Sequence, residues 1–130
     1  GHIIISQDTD FETTPWKVSM DWAVKLDKPD FVGKAALVRA QRRTPRETLV
    51  PWKMEPGMAT PAEGSIVTIG GSLAGRVTSS KMSYVLGHPV GLAWVTTEHA
   101  NAGGTITIGG APATIGDHAF YDPEGVKLRA

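Results

Sequence analysis

Residues 61–80, "PAEGSIVTIGGSLAGRVTSS", decide the fold of this chain. Two runs that suit extended strands flank the pair Gly70-Gly71. Consecutive glycines adopt the positive φ angles of a two-residue primed turn, so the stretch predicts a β-hairpin. Residues 104–120, "GTITIGGAPATIGDHAF", repeat the same device around Gly109-Gly110. We therefore expect two meander hairpins in one sheet.

Two further stretches complete a β-rich region. They are "ETLVPWKM", residues 47–54, and "VGLAWVTT", residues 90–97. About six short strands separated by turn signals are typical of a small closed barrel or a sandwich, here spanning roughly Arg46 to Phe120. Trp52 and Trp94 lie in these strands, and we expect both indoles in the core.

The residues ahead of the barrel have a different pattern. "HIIIS", residues 2–6, favours a strand, and so does the alternation of Ser19 to Leu26. Residues 27–43 favour a helix capped by Asp30. Its expected apolar stripe consists of Phe31, Ala35, Leu37 and Val38.

Two strands and one helix cannot cover both faces of a sheet. We therefore expect the first 43 residues to complete a domain whose other strands lie outside this chain. The absence of an initiator methionine supports the expectation that the chain is part of a longer protein.

Composition narrows the function. The 130 residues include 13 basic and 13 acidic side chains and no cysteine. Electrical neutrality argues against nucleic acid and anionic membranes as partners. A chain without cysteine has no disulfide or thiolate metal site, and the cytoplasm is its expected compartment. No apolar run approaches the roughly 20 residues that cross a bilayer.

The sequence contains no clear catalytic constellation. The histidines are scattered without metal-ligand spacing, so no metal site is expected; they are His2, His88, His99 and His118. Ser79 and Ser80 lack the glycine-flanked elbow of a nucleophile, and we interpret them as strand-end and turn residues. Trp22 has two interpretations, burial in a core or a flat face for a planar ligand.

Four blocks of sequence resemble one family in the same order. They are residues 8–24, "DTDFETTPWKVSMDWAV"; 28–37, "KPDFVGKAAL"; 75–95, "GRVTSSKMSYVLGHPVGLAWV"; and 120–125, "FYDPEG". The chain resembles the carboxy-terminal portion of the glycine cleavage T-protein family of folate-dependent aminomethyltransferases. The same module forms the folate-domain end of sarcosine and dimethylglycine oxidases and dehydrogenases.

The resemblance implies a fold and a chemistry. Residues 45–130 would be the terminal barrel domain, and residues 1–44 the end of an α+β folate-binding domain plus the connecting helix, a strand-strand-helix remnant. Such enzymes transfer a one-carbon unit from an aminomethyl or iminium group to tetrahydrofolate. The assisting aspartate of the family lies upstream of this chain, so no catalytic residue is expected here and the isolated chain should not turn over. FAD would belong to the rest of a flavin-linked assembly.

The resemblance also implies cofactor-binding residues. Trp22 corresponds to the tryptophan that lies beside the folate, where an indole stacks well on a pterin. Asp8 aligns with an acidic position expected to orient neighbouring groups. Arg129 is a candidate partner of the folate glutamate tail, with a solvated tail arginine as the alternative.

Two other functions are compatible with a small barrel. A non-catalytic barrel module that docks on a partner chain is the alternative hypothesis. An oligonucleotide-binding barrel is disfavoured by the neutral charge and the sparse aromatic residues. Ser80 stands where the family usually has glycine, which requires that the backbone there does not need a positive φ angle.

Overall fold

The computed structural model describes residues 2–127 and 129. In this part of the chain six antiparallel strands form a closed barrel in the order β1-β4-β3-β2-β5-β6, and β6 pairs again with β1. Their bounds are β1 Glu47–Lys53, β2 Ile66–Ile69, β3 Ser72–Ser83, β4 His88–Thr96, β5 Thr105–Ile108 and β6 Ala111–Ile115. The predicted mainly β barrel is confirmed.

Both glycine pairs form the predicted turns. Gly70 and Gly71 have φ angles of 57° and 84°, and Gly109 and Gly110 have 57° and 89°. These values lie in the left-handed region, which glycine enters without the clash of a Cβ atom. Strand β2 also pairs with β5, so the two hairpins lie side by side in one sheet as predicted.

The interior of the barrel is apolar and centred on Trp52, which is fully buried. Its ring lies across Gly91 of the neighbouring β4 strand. A Cβ atom at position 91 would be 2.5 Å from the Trp52 ring and 1.9 Å from the carbonyl oxygen of Ser79. Glycine is required here because the indole occupies the space of a side chain.

Trp94 is buried, but outside the barrel. Leu49 and Trp94 alternate along their strands with the interior residues Val50 and Ala93, and successive side chains of a strand point to opposite faces. The segment before the barrel covers this outer face, and its 3-10 helical turn Pro15–Val18 packs on β1. The prediction that Trp94 lies buried in the core is correct, and its ring packs on the outer side of the barrel wall.

The two strands predicted ahead of the helix are not formed. Residues 2–6 run into a turn, with one isolated bridge between Ile5 and Thr9. Ser19 to Leu26 contain the 3-10 helical turn Asp21–Ala23, where Val24 N donates to the Asp21 carbonyl at 2.9 Å. A strand needs a neighbour to pair its backbone, and without one these residues form hydrogen bonds within local turns.

The predicted helix exists but is shorter. Helix α1 covers Lys34–Gln41 and begins after Gly33, whose φ of 92° replaces the expected Asp30 cap. All its residues are described and none is buried. Of the expected apolar stripe, Leu37 and Val38 are half-buried, whereas Phe31 and Ala35 are exposed. Within residues 2–127 and 129, the structure contains no helix with the length and apolarity needed to cross a bilayer.

Candidate functional site

Asp8 is the best-anchored polar residue of the structure. Its side chain is fully buried in the loop that precedes the barrel. One carboxylate oxygen, Oδ1, accepts hydrogen bonds from Thr78 Oγ1 at 2.5 Å and Ser79 Oγ at 2.7 Å. The other oxygen, Oδ2, accepts the Ile4 amide at 2.8 Å. Both oxygens therefore have protein donors, as a buried carboxylate requires.

A β-bulge brings the two hydroxyls together. In the pairing of β3 with β4, Val77 faces Ala93 and Ser79 faces Leu92, so Thr78 is an extra residue in β3. Adjacent side chains of a regular strand point to opposite faces, whereas a bulge re-aims one of them. Thr78 and Ser79 thus reach the same oxygen of Asp8. Ser79 and Ser80 lie within a strand, so their interpretation as strand-end and turn residues is wrong.

Further bonds join the same loop to the barrel wall. Gln7 Nε2 donates to the Thr78 carbonyl at 2.9 Å and to Ser79 Oγ at 3.3 Å. The indole N–H of Trp94 donates to the Asp8 carbonyl at 2.9 Å. Lys17 Nζ lies 6.0 Å from the centre of the Trp94 ring. Neighbouring residues of the loop are therefore bonded to two strands of the barrel.

A small polar cleft of about 210 Å³ opens beside Asp8. Its rim includes Asp10 and Arg76, and Arg76 Nη1 is 3.4 Å from Glu47 Oε2. The hydrogen bond from Thr13 Oγ1, and after it the Glu12 amide, lowers the pKa of the Asp10 carboxyl. Asp10 is thus a second loop aspartate, one that is exposed and bonded within its own turn.

Trp22 lies on the surface, with 69% of its area exposed. The interpretation of this residue as a core tryptophan is wrong. A groove of about 450 Å³ opens next to it in the chain, and it is lined by Ala23, Val24, Lys25, Lys28, Pro29, Asp30, Phe31 and Leu37. The indole is free to receive a planar ring, and its role beside the folate stays a prediction.

Arg129 is exposed near the end of the chain. Its guanidinium donates to the carbonyl of Glu124, and its Nε donates to the carbonyl of Gly125 at 3.2 Å. Among the described residues, Arg129 has no hydrogen bond to Asp8 or Trp22. The contact of Arg129 with a glutamate tail stays a prediction. Within residues 2–127 and 129, no three histidine or acidic side chains lie close enough together to hold a metal ion.

The segment before the barrel exposes several large apolar side chains. Of the described residues 2–44, Asp8 alone is buried. Four strongly exposed apolar residues, Ile5, Phe11, Trp22 and Val32, define what we call the upstream apolar surface. Large apolar side chains that face solvent are suited to contact with another part of a protein.

The sequence did not predict the partners of Asp8. Its alignment with an acidic family position marked the residue, but nothing in "GRVTSS", residues 75–80, indicates a bulge after Val77. Thr78 and Gln7 were not singled out. A register shift depends on the neighbouring strand, which a local sequence pattern does not contain.

The chain is similar to proteins of known family. A family model described as "Glycine cleavage T-protein C-terminal barrel domain" matches residues 48–122. An aminomethyltransferase of Rubrobacter xylanophilus is 38% identical over 96% of this chain and 35% of the relative. A probable aminomethyltransferase of Thermococcus gammatolerans is 37% identical over 93% of this chain and 31% of the relative.

A solved structure shares the fold. The crystal structure of the glycine cleavage system aminomethyltransferase T from Bartonella henselae superposes with a TM-score of 0.78 at 22% identity. It covers 90% of this chain and 34% of that protein. The chain thus spans about a third of the length of the relatives it matches.

Proposed function

Because the chain belongs to the family of the glycine cleavage T-protein C-terminal barrel domain, we propose that it is the carboxy-terminal part of a folate-dependent aminomethyltransferase-type enzyme. In such an enzyme a one-carbon unit passes from an aminomethyl or iminium group to tetrahydrofolate. The observation that carries the proposal is the similarity to an aminomethyltransferase over 96% of the chain, which includes the segment before the barrel. The assisting aspartate would lie in the part outside this chain.

The upstream apolar surface supports a contact with another part of the enzyme, either in the same polypeptide or in a separate subunit. Burying a large apolar side chain such as Phe11 or Trp22 contributes roughly 1.5–3 kcal/mol. In this chain these side chains face solvent. The missing two-thirds of the relatives' length would supply the cover, as the remaining amino-terminal part of the enzyme or as a partner subunit.

Tetrahydrofolate is the proposed ligand of this joint site. The exposed indole of Trp22 fits a pterin ring, because aromatic stacking contributes about 1 kcal/mol beyond the burial of area. Arg129 has a solvent-exposed guanidinium that can pair with a carboxylate of the glutamate tail. Asp8 has both oxygens occupied by protein donors, so it would support the site without touching the ligand.

The amine donor has two candidates. The wording of residues 21–34, "DWAVKLDKPDFVGK", resembles the flavin-linked branch that oxidises sarcosine or dimethylglycine. The relatives described above are aminomethyltransferases, the name that belongs to the glycine cleavage branch. We propose that a flavin, where the enzyme has one, binds outside this chain. The proposed compartment is the cytoplasm, in keeping with the lack of cysteine.

Calorimetric titration with tetrahydrofolate tests the proposal. The chain is titrated alone and as part of the complete assembly. The complete assembly is either the full-length protein that contains this chain or the complex of this chain with its partner subunit. We expect binding in the complete assembly, and Trp22→Ala should weaken it by about tenfold, equivalent to roughly 1.4 kcal/mol. Tyr84→Ala, which removes an exposed aromatic ring from the loop between β3 and β4, is the matched control and should bind normally.

The alternative function is a non-catalytic barrel module that docks on a partner chain. The upstream apolar surface suits both hypotheses, and folate binding separates them. Absence of binding by the complete assembly would favour the module and would overturn the folate proposal.

A further inference from the structure

We propose that Asp8 is a positioning residue that fixes the segment before the barrel on the barrel wall and thereby sets where Trp22 faces. The positional part of this inference stands on geometry alone. Its consequence for tetrahydrofolate rests on the proposed function above.

Asp8 joins parts of the chain that are distant in sequence. Its carboxylate bonds Thr78 and Ser79, 70 and 71 residues away, and its carbonyl bonds Trp94, 86 residues away. It is also the one buried residue among the described residues 2–44. Hydrogen bonds to a charged group are stronger than those between neutral groups, and with the bonds of Gln7 they join the segment to β3, while the 3-10 turn Pro15–Val18 packs on β1.

Hydrogen-bonded turns connect Asp8 to Trp22 along the chain. Asp10 N donates to Thr13 Oγ1 at 2.9 Å, and Lys17 N donates to the Thr14 carbonyl at 3.0 Å. Met20 N donates to the Pro15 carbonyl at 2.9 Å, and the 3-10 turn Asp21–Ala23 follows directly. These turns follow one another or overlap along residues 10–23, so the position of Asp8 constrains the position of Trp22.

The carboxylate of Asp8 accepts all three bonds, and its charge strengthens each of them. The two hydroxyls use Oδ1, and the Ile4 amide uses Oδ2. A carboxylate accepts on both oxygens, whereas asparagine has one oxygen and one NH₂ group. In Asp8→Asn the amide oxygen can accept from Ile4 N while the NH₂ group donates to the two hydroxyls, so the bonds can persist but lose the strength that the carboxylate charge gives them. Asp8→Asn should therefore retain part of the effect that Asp8→Ala abolishes.

Spin labels measure the position directly in the 130-residue chain. Because the sequence has no cysteine, Asp21→Cys and Leu73→Cys place one label beside Trp22 and one on β3. The distance distribution between the labels should be narrow in the parent chain, broad in Asp8→Ala and intermediate in Asp8→Asn. Asp117→Ala is the matched control, since that exposed aspartate lies after β6 and outside the segment, and it should stay narrow.

A double variant that keeps Asp8 tests the same bonds in case Asp8→Ala does not fold. Thr78→Val and Ser79→Ala remove the donors and leave the loop sequence intact, and together they should broaden the distribution as Asp8→Ala does. An unchanged distribution in Asp8→Ala or in the Thr78→Val/Ser79→Ala chain, with the barrel signals retained, overturns the positional role.

Titration of the complete assembly adds the functional arm. Asp8→Ala should weaken tetrahydrofolate binding by about tenfold while Asp117→Ala binds as the parent does. If the parent itself fails to bind, the folate proposal fails and the label distances still decide the role of Asp8. If the parent binds and Asp8→Ala binds equally well despite a broadened distribution, the functional consequence of the positioning is refuted.

Discussion

Trp94 of strand β4 donates its indole N–H to the backbone carbonyl of Asp8 at 2.9 Å, and this bond is buried. The indole therefore serves two parts of the molecule. Its ring belongs to the outer wall of the barrel, and its nitrogen holds the loop that covers that wall. The barrel and the segment before it are consequently connected by side chains as well as by the chain itself.

Replacing Trp94 by phenylalanine tests this connection. Trp94→Phe keeps an aromatic ring but removes the donor, which leaves the buried Asp8 carbonyl without this partner. We expect a loss of about 1–3 kcal/mol in the free energy of unfolding, measured by denaturant titration. Trp22→Phe is the control at an exposed site and should stay within about 0.5 kcal/mol of the parent. Equal stability of both variants would contradict a stabilising role for the bond.

Ser80 offers a prediction of opposite sign. Its side chain is buried, and its Oγ has no hydrogen-bond partner within the described part of the chain. A buried hydroxyl without a partner is destabilising by about 1–3 kcal/mol relative to an apolar group. Ser80→Ala should therefore preserve or raise the melting temperature, as thermal unfolding can show. A marked drop would mean that the hydroxyl is bonded in solution.

Gly91 should be intolerant of any side chain. The added methyl group of Gly91→Ala would overlap the Ser79 carbonyl and the Trp52 ring, and neither can move without disturbing the barrel. Overpacking of this kind costs typically 1–3 kcal/mol, and we expect the upper end because one obstacle is backbone. Denaturant titration gives the value. Leu73→Ala, at an exposed position of β3, should change stability by less than about 0.5 kcal/mol.

The pKa of Asp10 depends on Thr13. The threonine hydroxyl is the main cause of the lowered pKa of this carboxyl, followed by the amide of Glu12. Thr13→Val should raise the pKa toward its ordinary value, as a carboxyl-detected NMR titration can measure. A lowered folded-state pKa stabilises the fold above the unfolded-state pKa, and this stabilisation is lost as the pH falls through the folded value. The parent chain should therefore lose more stability on acidification than Thr13→Val does.

The sequence predicted the features that depend on local chemistry. The glycine pairs at 70–71 and 109–110 specify their turns because few other residues adopt those φ angles. Trp52 was assigned to the core from its place in a strand pattern, and it is fully buried. The backbone at Ser80 does not have a positive φ angle, so serine replaces the family glycine without strain.

The segment before the barrel could not be predicted in the same way. The alternation around Trp22 is a signal for a strand that has a neighbour, and the described chain provides none. Its residues pair within turns, and their apolar side chains face solvent. The contacts of Asp8 depend on an extra residue in β3, a property of the pairing between two strands. Local periodicity contains neither kind of information.

The way the barrel closes has a consequence for its folding. The hairpin of β5 and β6 joins β2 through two residue pairs and β1 through another two, whereas β1 and β4 share seven. The hairpin closes the barrel with few strand-pairing contacts. Its isoleucines Ile106, Ile108 and Ile115 pack in the interior. We expect it to enter the ring last and to leave it first. The amides of this hairpin should exchange with deuterium sooner than those of the other four strands, β1, β4, β3 and β2.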